Sequence, residues 1–145
     1  MIDSQTEQIL QGIVRRESRS LLSYIGDAFP WTTASRSPTL ATLNDAVKAE
    51  SAAVSALGRF LVRRKLMPPL LGAYPAGFTA LNFVALDYLL PRLIDEEHRT
   101  IAGLALDLAN ITDEAARAPV EALLRVKKKN LAVMEALVAP QPVPA

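Results

Sequence analysis

Four stretches of this chain repeat apolar residues at alternating steps of three and four, and each repeat is broken once, near its middle, by an ionisable side chain. That spacing lines the apolar residues along one face of an α-helix, so each stretch reads as a helix with a stripe to bury. The first stripe is Leu10, Ile13 with Val14, Glu17, Leu21, Tyr24 and Ala28, a single helix that starts after Asp3 or Ser4 as cap and ends before Pro30. The second is Leu40, Leu43, Val47, Glu50, Val54, Leu57 and Leu61. Ser37 is its expected cap, with Pro38 at the first helical position, and the cluster Arg63, Arg64 and Lys65 suits its negative C-terminal end. The third is predicted from about Thr79 to about Ala109, with Leu86, Leu90, Leu93, Glu97, Ile101, Leu104 and Leu108 inward and a kink at Pro91. The fourth follows a cap signal at Thr112 and Asp113 and runs to about Val138, carrying Val120, Leu123 with Leu124, Lys127, Leu131, Met134 and Leu137 with Val138.

Four such helices in 145 residues predict one all-α domain over 1–138, an antiparallel four-helix bundle. The stretch 66–78 between the second and third helices exceeds the usual link between neighbouring bundle helices, so it is expected to cross the length of the bundle. Its apolar residues should then pack along the helices, because left in solvent they would form a large patch. Residues 139–145 read as an extended, disordered proline-rich tail.

The four interruptions are Glu17, Glu50, Glu97 and Lys127. Carboxylates and ammonium groups belong on solvent faces, and an unpaired buried charge is costly. All four lie near mid-helix, where antiparallel neighbours bring their midpoints together, so the spacing predicts one shared polar cluster in the core. Three carboxylates there need a counter-charge or a shared proton. Lys127 is the counter-charge available.

A carboxylate on each of three core helices, a long connection between helices two and three, and an ionisable residue on the fourth together resemble the ferritin-like superfamily, including its rubrerythrin-type members. The resemblance covers nearly the whole chain. It implies two irons held by a Glu from each of two helices and a Glu-x-x-His from each of the other two. On this sequence Glu17 matches the first-helix Glu, Glu50 the start of the second-helix motif, and Glu97 the third-helix Glu. The motif fails twice: Ala53 stands where the second helix would supply His, and the fourth helix reads Lys127-Lys128-Lys129-Asn130 where Glu-x-x-His would be. A fixed positive charge on a ligand position and two missing imidazoles imply a di-iron site lost and replaced by a Glu/Lys cluster.

Other chemistry finds little footing. There is no cysteine, which removes thiolate nucleophiles, Fe–S clusters and disulfides. His98 is the sole histidine and is expected on a helix flank, bonded to a neighbouring acid. Ser18, Ser20 and Ser23 have no base at triad spacing. Lys127 as a Schiff-base lysine is disfavoured, since nearby carboxylates hold its proton. With 16 basic against 15 acidic residues the net charge is +1, and the basic clusters, Arg15, Arg16 and Arg19 among them, read as solvated faces. No nucleic-acid or membrane partner is expected. The polar N-terminal stretch is unlike a signal peptide, and the uncharged stretch 66–86 contains Pro68, Pro69 and Pro75, so a cytoplasmic setting is the expectation.

Two function classes follow. The leading one is a non-enzymatic bundle without cofactor that self-associates or binds a protein partner. A homodimer is expected, with Ile9, Leu22, Ala46 and Ala53 as a second contact face. The alternative is an oxidoreductase or metal-storage protein in which Glu17, Glu50 and Glu97 hold a di-iron or other divalent metal site.

Overall fold

The computed structural model describes residues 2–138, so the tail predicted for 139–145 lies outside the described residues. The described chain is built from α1 (Ser4–Ser18), α2 (Leu21–Ala28), α3 (Ser37–Arg63), α4 (Leu86–Ala109) and α5 (Glu114–Val138), with 3-10 turns at Ala34–Arg36 and Ala76–Leu81. Its one strand-like feature among the described residues is an isolated bridge between Trp31 and Ala85. No described helix is long and apolar enough to cross a membrane.

Helix direction follows from the contacts. Lys127 meets Glu50 and Asn130 meets Ala46, so α5 runs antiparallel to α3. His98 with Glu135, and Arg117 with the Leu108 carbonyl, set α4 antiparallel to α5. Arg16 with Asp107, and the Leu21 amide with Glu96, do the same for α1–α2 against α4. The apolar stripes close into two clusters. One gathers Leu10, Ile13, Leu57, Leu61, Leu104 and Val120; the other gathers Ile25, Leu43, Leu86, Leu90, Leu93 and Met134. Each such side chain, taken fully from water, stabilises the fold by about 1.5–3 kcal/mol. Between the two clusters lie Glu17, Glu50, Glu97 and Lys127, all buried.

The first helix is not continuous. It breaks at Arg19, and Ser20 caps a new helix by accepting from the Ser23 amide at 3.1 Å. The Glu96 carboxylate accepts from the Leu21 amide at 3.3 Å, which satisfies a donor that the restarted helix leaves bare. Ser20→Ala is expected to cost about 1 kcal/mol, read as a lowered urea midpoint with unchanged slope. A variant as stable as the parent would mean that the cap bond contributes nothing to this restart.

Helix α4 begins at Leu86, not near Thr79. The residues before it are drawn into other contacts: Phe78 packs on Tyr24, Phe83 takes a left-handed φ of 59°, and the Phe83 amide bonds the Ala28 carbonyl. Ser37 is the first residue of α3 and not its cap, because the preceding 3-10 turn runs straight into the helix. The Asp3 and Asp113 caps are present, accepting from the amides of Thr6 at 2.7 Å and Ala116 at 2.9 Å.

The connection 66–78 lies along α1 and α2, held in part by the expected apolar packing, with Leu66 on one core cluster and Tyr74 and Phe78 on the other, and in part by polar bonds. A ladder of polar side chains, four residues apart on the helix, reads its backbone. Gln11 donates to the Met67 carbonyl at 2.6 Å, Arg15 to that of Leu70 at 3.1 Å, and Arg19 to that of Gly72 at 2.8 Å. Ser23 then bonds the Tyr74 hydroxyl. The apolar side chains of Met67 and Leu70 stay in solvent, Leu70 at 89 % exposure. Arg15 and Arg19 are therefore tethers and not merely a solvated face. Of the four residues expected to form a second contact face, Leu22 and Ala46 are buried within the chain.

Candidate functional site

The centre of the molecule is an ammonium group with no exposure to solvent. Lys127 on α5 is 0 % exposed, and its Nζ lies 2.9 Å from Glu17 Oε2, 2.6 Å from Glu50 Oε1 and 2.7 Å from Glu97 Oε1. Each carboxylate comes from a different helix: α1, α3 and α4. An ammonium has three protons to give and nothing to accept with, so three acceptors saturate it. The four residues predicted to interrupt the stripes all meet here. The local cause is helical phase: each occupies the inward position of its own stripe, and antiparallel pairing brings the midpoints to one level.

The three carboxylates have further neighbours that stripe reading did not include. Asn130, one turn beyond Lys127, donates its side-chain amide to Glu50 Oε2 at 2.9 Å and to the Ala46 carbonyl at 3.0 Å. The Arg16 guanidinium reaches Glu17 Oε1 at 3.4 Å from the rim. Thr100 lies 3.4 Å from Glu97 Oε1. Spacing alone would have found Asn130, since three residues on a helix return to the same face. Nothing local marked Thr100 or Arg16.

Glu97 Oε2 is buried without a hydrogen-bond partner. Burial, followed by the neighbouring Glu50 carboxylate, pushes the Glu97 carboxyl up to about 8, against the pull of Lys127. At neutral pH the neutral form of this group is therefore favoured, in keeping with the unpartnered oxygen. Burial alone would lower the Lys127 pKa, but the carboxylates of Glu50, Glu17 and Glu97 outweigh it and hold the ammonium charged well above its ordinary range. Lys127 and rim Arg16 are the cations set against the three carboxyl groups, of which Glu97 is the one pushed toward its neutral form.

This arrangement answers two chemical questions. A lysine that is saturated, fully enclosed and held protonated is no nucleophile, so Schiff-base chemistry has no place at Lys127. Two irons do not fit these residues either. The ammonium stands among the carboxylates at the position a cation would take, Ala53 offers no ligand, and Asn130 presents donors to Glu50 where a Glu-x-x-His ligand pair would present an imidazole lone pair. A cleft of about 220 Å³, bordered by Glu17, Ser18, Ser20, Glu50, Ser51 and Tyr74, flanks the cluster between α1 and α3. His98 lies on the α4 flank, 3.2 Å from Glu135, with both side chains more than half exposed. Compared with protein-family models, with curated proteins and with solved structures, the chain matches none.

Proposed function

We propose that this chain is a non-catalytic four-helix bundle of the ferritin-like kind, in which a lysine-centred ion cluster stands where that superfamily holds two metals. One observation carries the reading: a buried Nζ within 2.9 Å of carboxylates from three other helices. Counting α1 and α2 as one rod broken at Ser20 leaves four rods, each giving one residue to the cluster. The polar ladder from α1 to the connection 66–78 supports the long crossover that this architecture needs. An internal ion pair of this kind fixes which helix faces meet, at some expense of stability, which suits a scaffold that acts through its surface. A homodimer fits that role, and sedimentation at micromolar concentration measures it.

Metal analysis tests the reading. Protein produced in iron- and manganese-supplemented medium is expected to carry well under one metal ion per chain. Stoichiometric iron or manganese in the wild type would overturn the proposal and favour the carboxylate-rich oxidoreductase or storage protein. Lys127→Glu sharpens the contrast by removing the competing charge and adding a fourth carboxylate. It is expected to be stabilised by millimolar Mn²⁺, by a few kcal/mol where the ion is at about a hundredfold its dissociation constant. The wild type should not respond. Stabilisation of both proteins alike would place the binding elsewhere.

A further inference from the structure

Three arginines of α1 line one surface groove, and two of them have no carboxylate partner among the described residues. The groove, about 370 Å³, is lined by Arg15, Arg16 and Arg19, by Leu71, Ala73, Pro75 and Phe78 of the connection 66–78, and by Glu96 of α4. Arg16 is already divided between Glu17 and Asp107. Arg15 and Arg19 instead give their Nε groups to neutral acceptors, the carbonyls of Leu70 and Gly72. Arg19 also gives Nη1 to the Ser18 carbonyl and lies 4.9 Å from the centroid of the Tyr74 ring. Both Nη groups of Arg15, and Nη2 of Arg19, are left without a partner among the described residues. The one acid on the groove is Glu96. It is committed to the Leu21 amide, and burial pushes its carboxyl above the ordinary value, so it opposes an incoming anion less than a free carboxylate would.

We propose that this groove binds a small organic anion, with a carboxylate or phosphate head held by Arg15 and Arg19 and an apolar body along Leu71, Ala73 and Pro75. The head group follows from the donors. A guanidinium presents paired N–H groups that match two oxygens of a carboxylate or phosphate. Here the backbone bonds at Nε already fix each guanidinium, so little side-chain freedom remains to be lost on binding. The body follows from the connection, whose Leu71, Ala73 and Pro75 are exposed while the polar ladder pins the backbone between them. A groove of this size belongs to the small end of small-molecule sites, which suits a short alkyl or single-ring acid. A nucleic-acid strand would need free aromatic faces for its bases, and Phe78 is already packed on Tyr24 and Tyr74.

Calorimetric titration of the full chain with butanoate, hexanoate, octanoate and hexyl phosphate tests this. Each methylene that leaves water tightens binding by up to about fourfold, so octanoate is expected to bind at least about tenfold more tightly than butanoate. Added salt should weaken every member of the series. Hexyl phosphate tighter than hexanoate would assign a dianionic head and the reverse order a monoanionic one; either supports the site. Arg15→Gln is expected to weaken octanoate by about tenfold. Leu71→Ser should flatten the chain-length series and leave butanoate unchanged. Both side chains are exposed, so neither change removes a core contact. Absence of binding by octanoate and hexyl phosphate at millimolar concentration would overturn the proposal. So would wild-type affinities that ignore chain length, since a basic surface alone would then account for them, and that outcome needs no variant. Octanoate binding left unchanged by Arg15→Gln would overturn it as well, by placing the ligand elsewhere.

Discussion

Lys127→Met is expected to lower the unfolding free energy by about 3–5 kcal/mol at neutral pH, the range for removing one partner of a buried ion pair. Methionine fills much of the same space and restores apolar contact, so the loss does not come from a cavity. It comes from Glu17 and Glu50, which would face each other and Glu97 without a cation in a core closed to water. The carboxylates have one escape, which is to take up protons. The deficit is therefore expected to shrink in mild acid, where protonation costs little, and to be largest near pH 8. Urea denaturation at the two pH values measures both. A variant as stable as the wild type throughout would mean that the cluster contributes nothing net, and the scaffold reading would lose its support.

Stability of the wild type is expected to fall by a few kcal/mol as pH rises from about 5 to about 8. The sign follows from Glu97. Its folded pKa, about 8, lies above the ordinary 4.5, so between those values the folded chain holds a proton that the unfolded chain has released. Raising the pH therefore favours unfolding across this window, and the slope ends once the folded carboxyl also ionises. Lys127 contributes no slope here. Its pKa is raised, so its contribution is fully present below about 10.5 and is lost only as pH climbs through the folded value. Glu97→Gln, permanently neutral and still able to accept from Lys127, isolates the effect: its stability should be nearly flat over the window where the wild type declines. Parallel curves for the two proteins would show that Glu97 is not the group that titrates.

Much of this site was legible in the sequence, because burial on a helix is a local, periodic property. Glu17, Glu50, Glu97 and Lys127 are each flanked at three and four residues by apolar neighbours, and no other phase buries those neighbours. That Ala53 and Asn130, three residues beyond Glu50 and Lys127, are not histidines was legible too, being identities at fixed offsets. Proton occupancy was not. Which of three equivalent-looking glutamates holds the proton depends on burial depth and on who supplies the second bond: Asn130 serves Glu50 and Arg16 serves Glu17, while one oxygen of Glu97 has no donor.

By itself the sequence determined the helical stripes, the Asp3 and Asp113 caps and the inward place of each of the four charged residues on its own helix, because each depends on residues within a turn or two of one another. Tertiary structure alone decided where the first helix breaks, where α4 begins and how the connection 66–78 is held. The break at Ser20 involves Glu96, 75 positions from Leu21; the late start of α4 involves the Phe83 amide on Ala28; the crossover is read by Arg19, 53 positions from Gly72. Those bonds exist only once the helices have packed, and the helix propensity of a lone segment carries no trace of them.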